Sequence, residues 1–82
     1  MEWTNYIHAD PGILGGKPVI KGTRISVELL LERLANGWTE TMIFESYPHL
    51  PKETLRAVYA FLLDTFKEDV FVISSPNLRQ AS

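Results

Sequence analysis

The sequence contains no cysteine. This absence excludes a disulfide framework and a thiolate metal site, and it is typical of proteins in a reducing compartment. The chain has only two histidines, His8 and His49, which are far apart and lack metal-ligand spacing such as H-E-x-x-H. We therefore find no enzyme signature, and we expect a cytoplasmic protein without a metal or another cofactor.

Long apolar runs and a basic overall balance are also missing. No stretch approaches the roughly 20 apolar residues that a membrane span needs. The first twelve residues have neither the basic start nor the apolar run of a secretion signal. The formal net charge is -2, whereas non-specific nucleic-acid binders are strongly basic. We expect a soluble, unprocessed protein in which any DNA binding comes from a local patch.

The length and composition predict one small globular domain. The chain has 82 residues, of which 45% are hydrophobic, and it contains no low-complexity tract. A chain this short buries about 60% of its unfolded surface, so self-association often adds to its stability. We expect one domain over residues 1–69, followed by a C-terminal strand and tail over residues 70–82.

A glycine-rich basic segment, GGKPVIKGTRISV, covers residues 15–27 and is called the basic finger below. Residues 18–20 favour an extended run, residues 21–23 can reverse the chain, and residues 24–25 begin a return run, so a tight β-hairpin is predicted. Gly22 can supply the positive φ of the reversal. No acidic residue occurs between Pro11 and Val27, and the positive charges of the finger are those of Lys17, Lys21 and Arg24. A nucleotide-binding loop is not expected, because prolines replace its required glycine and hydroxyl residue.

Three helices are predicted after the finger, over residues 27–36, 39–47 and 51–66. Ser26 is a suitable N-cap for the first helix, and Asn36-Gly37 is a helix-ending pair. Thr39 can cap the second helix, but Met42 stands where a capping-box Glu would be, so only half of that motif is expected. On a helical period the inward residues are Val27, Leu30, Leu31, Leu34 and Ala35 in the first helix, and Leu55, Val58, Tyr59, Leu62, Leu63 and Phe66 in the third.

Some apolar residues lie outside these predicted core faces. Phe61, with Leu29, indicates either a second apolar surface or ordinary single exposed side chains. A β-prone run follows residue 69 and is either an edge strand against this domain or a strand that joins a partner's sheet. The candidate partner-binding residues are therefore Phe61, Val70, Phe71, Val72 and Ile73.

The second and third helices, joined by a short turn and supported by the first, form the pattern of a helix-turn-helix unit whose last helix can enter the DNA major groove. Arginine can bind guanine bidentately, and lysine and histidine can contact phosphate. Three-helix units also occur as purely structural bundles, and Glu53 opposes phosphate. The candidate DNA-binding residues are Lys17, Lys21 and Arg24 in the finger, His49 in the turn, and Lys52, Thr54 and Arg56 at the start of the third helix.

The order of several motifs resembles that of a known family. ILGGKPVIKGTR at residues 13–24 is followed by an amphipathic helix, Gly37 and a short helix, and then by YPHL at residues 47–50 and a long helix. The family is the small bacterial domain-of-unknown-function family numbered four hundred and thirty-three, and the resemblance covers about residues 7–63. Members resemble VapB-type antitoxins. The resemblance implies a mostly α fold, with a homeodomain-like three-helix helix-turn-helix core and a short N-terminal β-hairpin.

The same resemblance implies a function. A protein of this kind would neutralise a PIN-like toxin nuclease by protein contact and repress its own operator DNA as a homodimer. The alternative is a dimeric nuclease inhibitor that acts only through protein contacts and never binds DNA. The negative net charge and the unassigned apolar run at residues 70–73 motivate that alternative.

Overall fold

The computed structural model describes residues 1–67, in which a two-stranded antiparallel sheet is followed by three α-helices. This arrangement confirms the predicted N-terminal β element and the three helices. The strands are β1 (Ile7–Ala9) and β2 (Pro18–Ile20), and the helices are α1 (Val27–Ala35), α2 (Glu40–Ser46) and α3 (Thr54–Thr65). Short 3-10 turns cover Trp3–Asn5 and Leu14–Gly16.

Strand β2 has a longer partner than the predicted hairpin provides. β2 pairs with β1, with Ile7 opposite Ile20 and Ala9 opposite Pro18. The return run adds only a single bridge between Val19 and Ser26, together with a bond from the Ile20 amide to the Ile25 carbonyl. The predicted return run is therefore present but very short, because Ser26 already caps helix α1 and leaves no length for a longer strand.

The predicted helix boundaries of α1 and α2 are confirmed by their caps. The Ser26 hydroxyl accepts a hydrogen bond from the Leu29 amide at 2.9 Å, and Gly37 ends α1 with φ +97°. The Thr39 hydroxyl accepts from the Met42 amide at 3.1 Å, while the Met42 sulfur accepts from the Thr39 amide at 3.5 Å. The capping box is thus complete and the expected half motif is wrong, because the Met42 thioether acts as a weak acceptor in the place that glutamate usually takes.

Helix α3 begins at Thr54 and not at Pro51 as predicted. Residues 51–53 form a turn, in which the Thr54 amide donates to the Pro51 carbonyl at 3.0 Å. Leu50 and Thr54 are both buried on either side of this turn. The bond between Thr54 and Pro51 spans three residues and closes a turn, and the four-residue spacing of an α-helix begins with the Ala57 amide, which donates to the Glu53 carbonyl at 3.0 Å.

The core lies between the sheet and the three helices. Its buried members are Ile7, Ile20, Val27, Leu30, Ile43, Leu50, Leu55, Ala57 and Val58. Several residues differ from the predicted inward faces. Ala35 is exposed, whereas Ala57 is buried; Tyr59, Leu63 and Phe66 are 44%, 52% and 52% exposed. The buried face of α3 is rotated from the predicted face toward Ala57 and Phe61, because the 3-10 turn at Trp3–Asn5 packs against that side of the helix.

Trp3 attaches the N-terminal turn to α3. Its ring meets that of Phe61 edge to face, with centroids 4.9 Å apart, and its Nε1 donates to Asp64 Oδ2 at 2.7 Å. Phe61 is therefore half-buried within the chain, and the expectation that it is exposed, on a second apolar surface or as a single side chain, is wrong. Val70, Phe71, Val72 and Ile73 lie outside the described residues. None of the helices within residues 1–67 has the length and apolar character that a membrane crossing requires.

Candidate nucleic-acid interface

The first cation of the basic finger is already paired. Lys17 Nζ donates to Glu28 Oε1 at 2.8 Å, and both side chains are well exposed. Glu28 lies in the first turn of α1, where the helix dipole favours a carboxylate. The hydrogen bond and the negative charge of Glu28 raise the pKa of Lys17 above its ordinary value. Lys17 is thus accessible to solvent but compensated by a carboxylate.

Lys21 and Arg24 lie on the tip of the finger, where a tight turn holds them. The Thr23 hydroxyl donates to the Ile20 carbonyl at 2.8 Å and accepts from the Ile25 amide at 2.9 Å. Gly22 has φ +79°, a conformation that L side chains rarely adopt. Both cations are exposed, and no ion pair joins either of them to another residue in 1–67. The finger therefore presents two positive charges that no ion pair within residues 1–67 neutralises, on a turn that the hydrogen bonds of Thr23 hold in place.

The second candidate group surrounds the start of α3. His49 is exposed in the turn that the Leu50 amide closes by donating to the Tyr47 carbonyl at 3.1 Å. Lys52 and Arg56 are also exposed. Thr54 is fully buried, so its expected contact with DNA is wrong. The reason is helical geometry, since Thr54 shares the core face of α3 with Ala57 and Val58.

An open cavity of about 480 Å³ lies beside the first turns of α3. It is lined by Glu40, Lys52, Glu53, Leu55, Arg56 and Tyr59. The Tyr59 hydroxyl donates to Glu40 Oε2 at 3.0 Å. Partial burial raises the pKa of Tyr59, and the hydrogen bond and charge of Glu40 raise it further. The cations at the start of α3 therefore share their surroundings with two carboxylates.

No pattern in the sequence indicated this cavity. Tyr59 was expected in the core, and Glu40 comes from a different helix. No local pattern predicts their hydrogen bond, because it depends on how α2 and α3 pack.

The exposed candidate cations of the finger tip are Lys21 and Arg24, and those at the start of α3 are Lys52 and Arg56, which line the same cavity. Among residues 1–67, no group of three or more histidine, aspartate or glutamate side chains is placed to hold a metal ion. The chemistry that these exposed groups offer is the binding of anions, with hydrogen-bond donors on rigid elements.

Comparison with known proteins places most of the described chain in one family. The family model described as "Protein of unknown function (DUF433)" matches residues 7–62, which include the basic finger and the first turns of α3. The chain is also similar to an uncharacterized protein, y4eO, of Sinorhizobium fredii (strain NBRC 101917 / NGR234), with 36% identity over 56 residues. That match covers 66% of this chain and 25% of the relative, so the chain spans about a quarter of the relative's length. No solved structure matches the chain.

Proposed function

Since this chain belongs to the family described as protein of unknown function (DUF433), we propose that it is an antitoxin-like DNA-binding protein. It represses its own operator as a homodimer and neutralises a PIN-like nuclease. In this proposal α2 and α3 form a homeodomain-like helix-turn-helix unit. The observation that carries the DNA-binding half is the presence of exposed cations on two rigid elements, the finger and the start of α3, in a chain with a net charge of -2.

Helix α3 supplies the sequence-reading part of the proposed interface. Thr54 turns inward and anchors the helix, while Arg56 on the exposed side points away from the core. A guanidinium there can donate two parallel hydrogen bonds to a guanine edge. Lys52 and His49, just before the helix, contact phosphates on the groove wall. Lys21 and Arg24 hold the backbone from the finger.

The nearby carboxylates set how strongly the interface binds. Glu40 and Glu53 repel phosphate near the α3 cations, and Glu28 compensates Lys17. We therefore expect weak binding to unrelated DNA and an affinity for the operator that depends on the correct base contacts. If Lys21, Arg24 and Lys52 each neutralise one phosphate, log K falls with log salt concentration with a slope of about -2.7 per chain.

The test is fluorescence anisotropy with a labelled duplex from upstream of the chain's own gene and with a scrambled duplex, between about 50 and 200 mM salt. Arg56→Ala should weaken binding to the upstream duplex by about 1–3 kcal/mol and affect the scrambled duplex less. Arg56→Lys is the matched control: it keeps the charge and the salt slope but loses the bidentate contact. Lys21→Ala should weaken both duplexes and reduce the slope by about one. Absence of binding to the upstream duplex at low salt would refute the repressor.

A second function, nuclease inhibition without DNA binding, is favoured by the carboxylates beside Lys17, Lys52 and Arg56. It predicts that the chain inhibits the nuclease encoded beside it and that Arg56→Ala leaves this inhibition unchanged. A chain ending at residue 69 tests residues 70–73 as the partner-binding segment. Unchanged affinity for the nuclease would exclude that segment from the contact.

A further inference from the structure

The outer face of the second half of α3 is apolar. Tyr59, Leu63 and Phe66 follow one another at helical spacing, so they lie on one side of the helix. All three are exposed, although the rest of the helix turns its apolar residues toward the core. We call these residues the α3 stripe. Single exposed apolar residues are ordinary, but a continuous stripe on one helix is typical of a protein contact.

We propose that the α3 stripe binds a second copy of this chain, with the two α3 helices antiparallel and Leu63 of each copy at the two-fold axis. The proposal deepens the proposed function and rests on it only for the use of the dimer at an operator. A two-fold contact is self-complementary, so each residue of the stripe meets a residue equally distant from Leu63 on the other side.

The charges beside the stripe fit this register. Position 67 of one copy faces position 59 of the other, and Lys67 is exposed at the end of the described residues. The Glu40 carboxylate lies 3.0 Å from the Tyr59 hydroxyl. Lys67 of the second copy therefore reaches both the Tyr59 ring and the Glu40 carboxylate, as a cation–π contact and an ion pair. Because of the two-fold symmetry, this contact occurs twice in the dimer.

The opposite orientation lacks this complementarity. Parallel α3 helices would place Lys67 beside Lys67 and away from Glu40 of the other copy. In the antiparallel register, Arg56 lies about 10 Å along the axis from Leu63. The start of α3 in each copy thus stays at an outer end of the contact, where it can bind DNA. A second copy also supplies the apolar cover that a domain of this size often needs.

Analytical ultracentrifugation tests the interface directly. The wild-type chain should sediment at twice its mass of 9.3 kDa. Leu63→Glu should raise the dimer dissociation constant roughly a hundredfold, because both symmetry-related leucines are lost and each apolar contact contributes on the order of tenfold. Leu63 is exposed, so the fold should persist in circular dichroism. The matched control is Leu14→Glu, at a similarly exposed leucine outside α3, which should leave the dimer intact.

Two further variants test the register. The chain has no cysteine, so Leu63→Cys is expected to form an intermolecular disulfide across the two-fold axis, whereas Leu14→Cys is not. Glu40→Lys and Lys67→Glu should each weaken the dimer, and the double variant should restore it. Restoration of the dimer in the double variant requires a specific contact between positions 40 and 67. A non-specific apolar contact would not restore the dimer.

A wild-type chain that is monomeric at micromolar concentrations, together with a Leu63→Cys variant that forms no intermolecular disulfide, would overturn the proposal. So would a dimer that Leu63→Glu leaves intact. A monomer in which Leu63→Glu weakens nuclease binding would assign the stripe to the nuclease instead. The outcome is separable from the repressor test. A dimer that fails to bind the upstream duplex refutes only the repressor, and a monomer that binds the duplex refutes the dimer, including the homodimer of the proposed function, but not the DNA binding.

Discussion

Replacement of Thr54 by valine is expected to stabilise the protein. Thr54 is fully buried at the start of α3, and its hydroxyl oxygen has no hydrogen-bond partner among residues 1–67. Burial of a hydroxyl without a partner is unfavourable because its hydrogen bonds to water are lost and not replaced. Valine has nearly the same shape and puts a methyl group in place of the hydroxyl. Thr54→Val therefore removes the penalty without opening a cavity.

The size of the effect follows from the burial. An unsatisfied buried hydroxyl costs about 1–3 kcal/mol. Valine and threonine are both β-branched and have similar helix propensities, so the helix itself contributes little to the difference. We expect the free energy of unfolding to rise by about 1–2 kcal/mol. For a domain of this size, each kcal/mol corresponds to an increase in Tm of about 4–8 °C.

Urea denaturation and calorimetry measure this change, with two controls. Thr41→Val, at an exposed position of α2, should change the free energy of unfolding by less than about 0.5 kcal/mol. Thr54→Ser keeps the hydroxyl but loses a buried methyl group, so it should destabilise by about 1 kcal/mol. Loss of stability in Thr54→Val would refute the reasoning, because it would mean that the hydroxyl makes a favourable contact. DNA affinity should be the same in Thr54→Val and wild type.

Three further predictions concern the caps, the N-terminal turn and the alkaline range. Ser26→Ala removes the acceptor for the Leu29 amide and should lower the free energy of unfolding by about 1 kcal/mol in urea denaturation, whereas Ser26→Asp should retain most of it. Trp3→Phe keeps the aromatic contact but loses the bond to Asp64, and should lower the Tm in calorimetry by an amount corresponding to about 1 kcal/mol. The raised pKa of Tyr59 means that the folded state favours the neutral phenol. This preference stabilises the fold below the pKa of about 10 that Tyr59 has in the unfolded chain, and the stabilisation is lost as pH rises through the pKa of the folded state. Urea denaturation on either side of about pH 10 should therefore show a smaller alkaline loss of stability in Tyr59→Phe than in wild type, and an equal loss in both would contradict this assignment.

The differences between sequence and structure concentrate where distant segments meet. Strand β2 was expected to pair with the residues that follow it, but these residues add only one bridge, at Ser26, and β1 is the main partner of β2 on its other edge, with Ile7 opposite Ile20 in the core. The period of α3 correctly predicted an amphipathic helix. It selected the wrong edge of the apolar arc, because Trp3 packs on Phe61 and leaves Leu63 exposed. Both outcomes depend on contacts with the N-terminal residues, which a local pattern does not contain.

The candidate site shows the same division. The exposure of Lys21, Arg24, Lys52 and Arg56 was predictable, since charged side chains rarely lose their hydration without a partner. Their carboxylate neighbours were not predictable. The contact between Glu40 and Tyr59 joins two helices, and its existence changes the electrostatics around the start of α3.

The sequence by itself determined the local structure of this protein. The Ser26 and Thr39 caps, the turn at Gly22 and the end of α1 at Gly37 each depend on atoms within about four residues, so the local chain is sufficient to specify them. Only the tertiary structure decided that Thr54 is buried and that the α3 stripe is exposed. The physical reason is that burial depends on which distant surfaces cover a residue, and periodicity gives the spacing of apolar residues but not the identity of their neighbours.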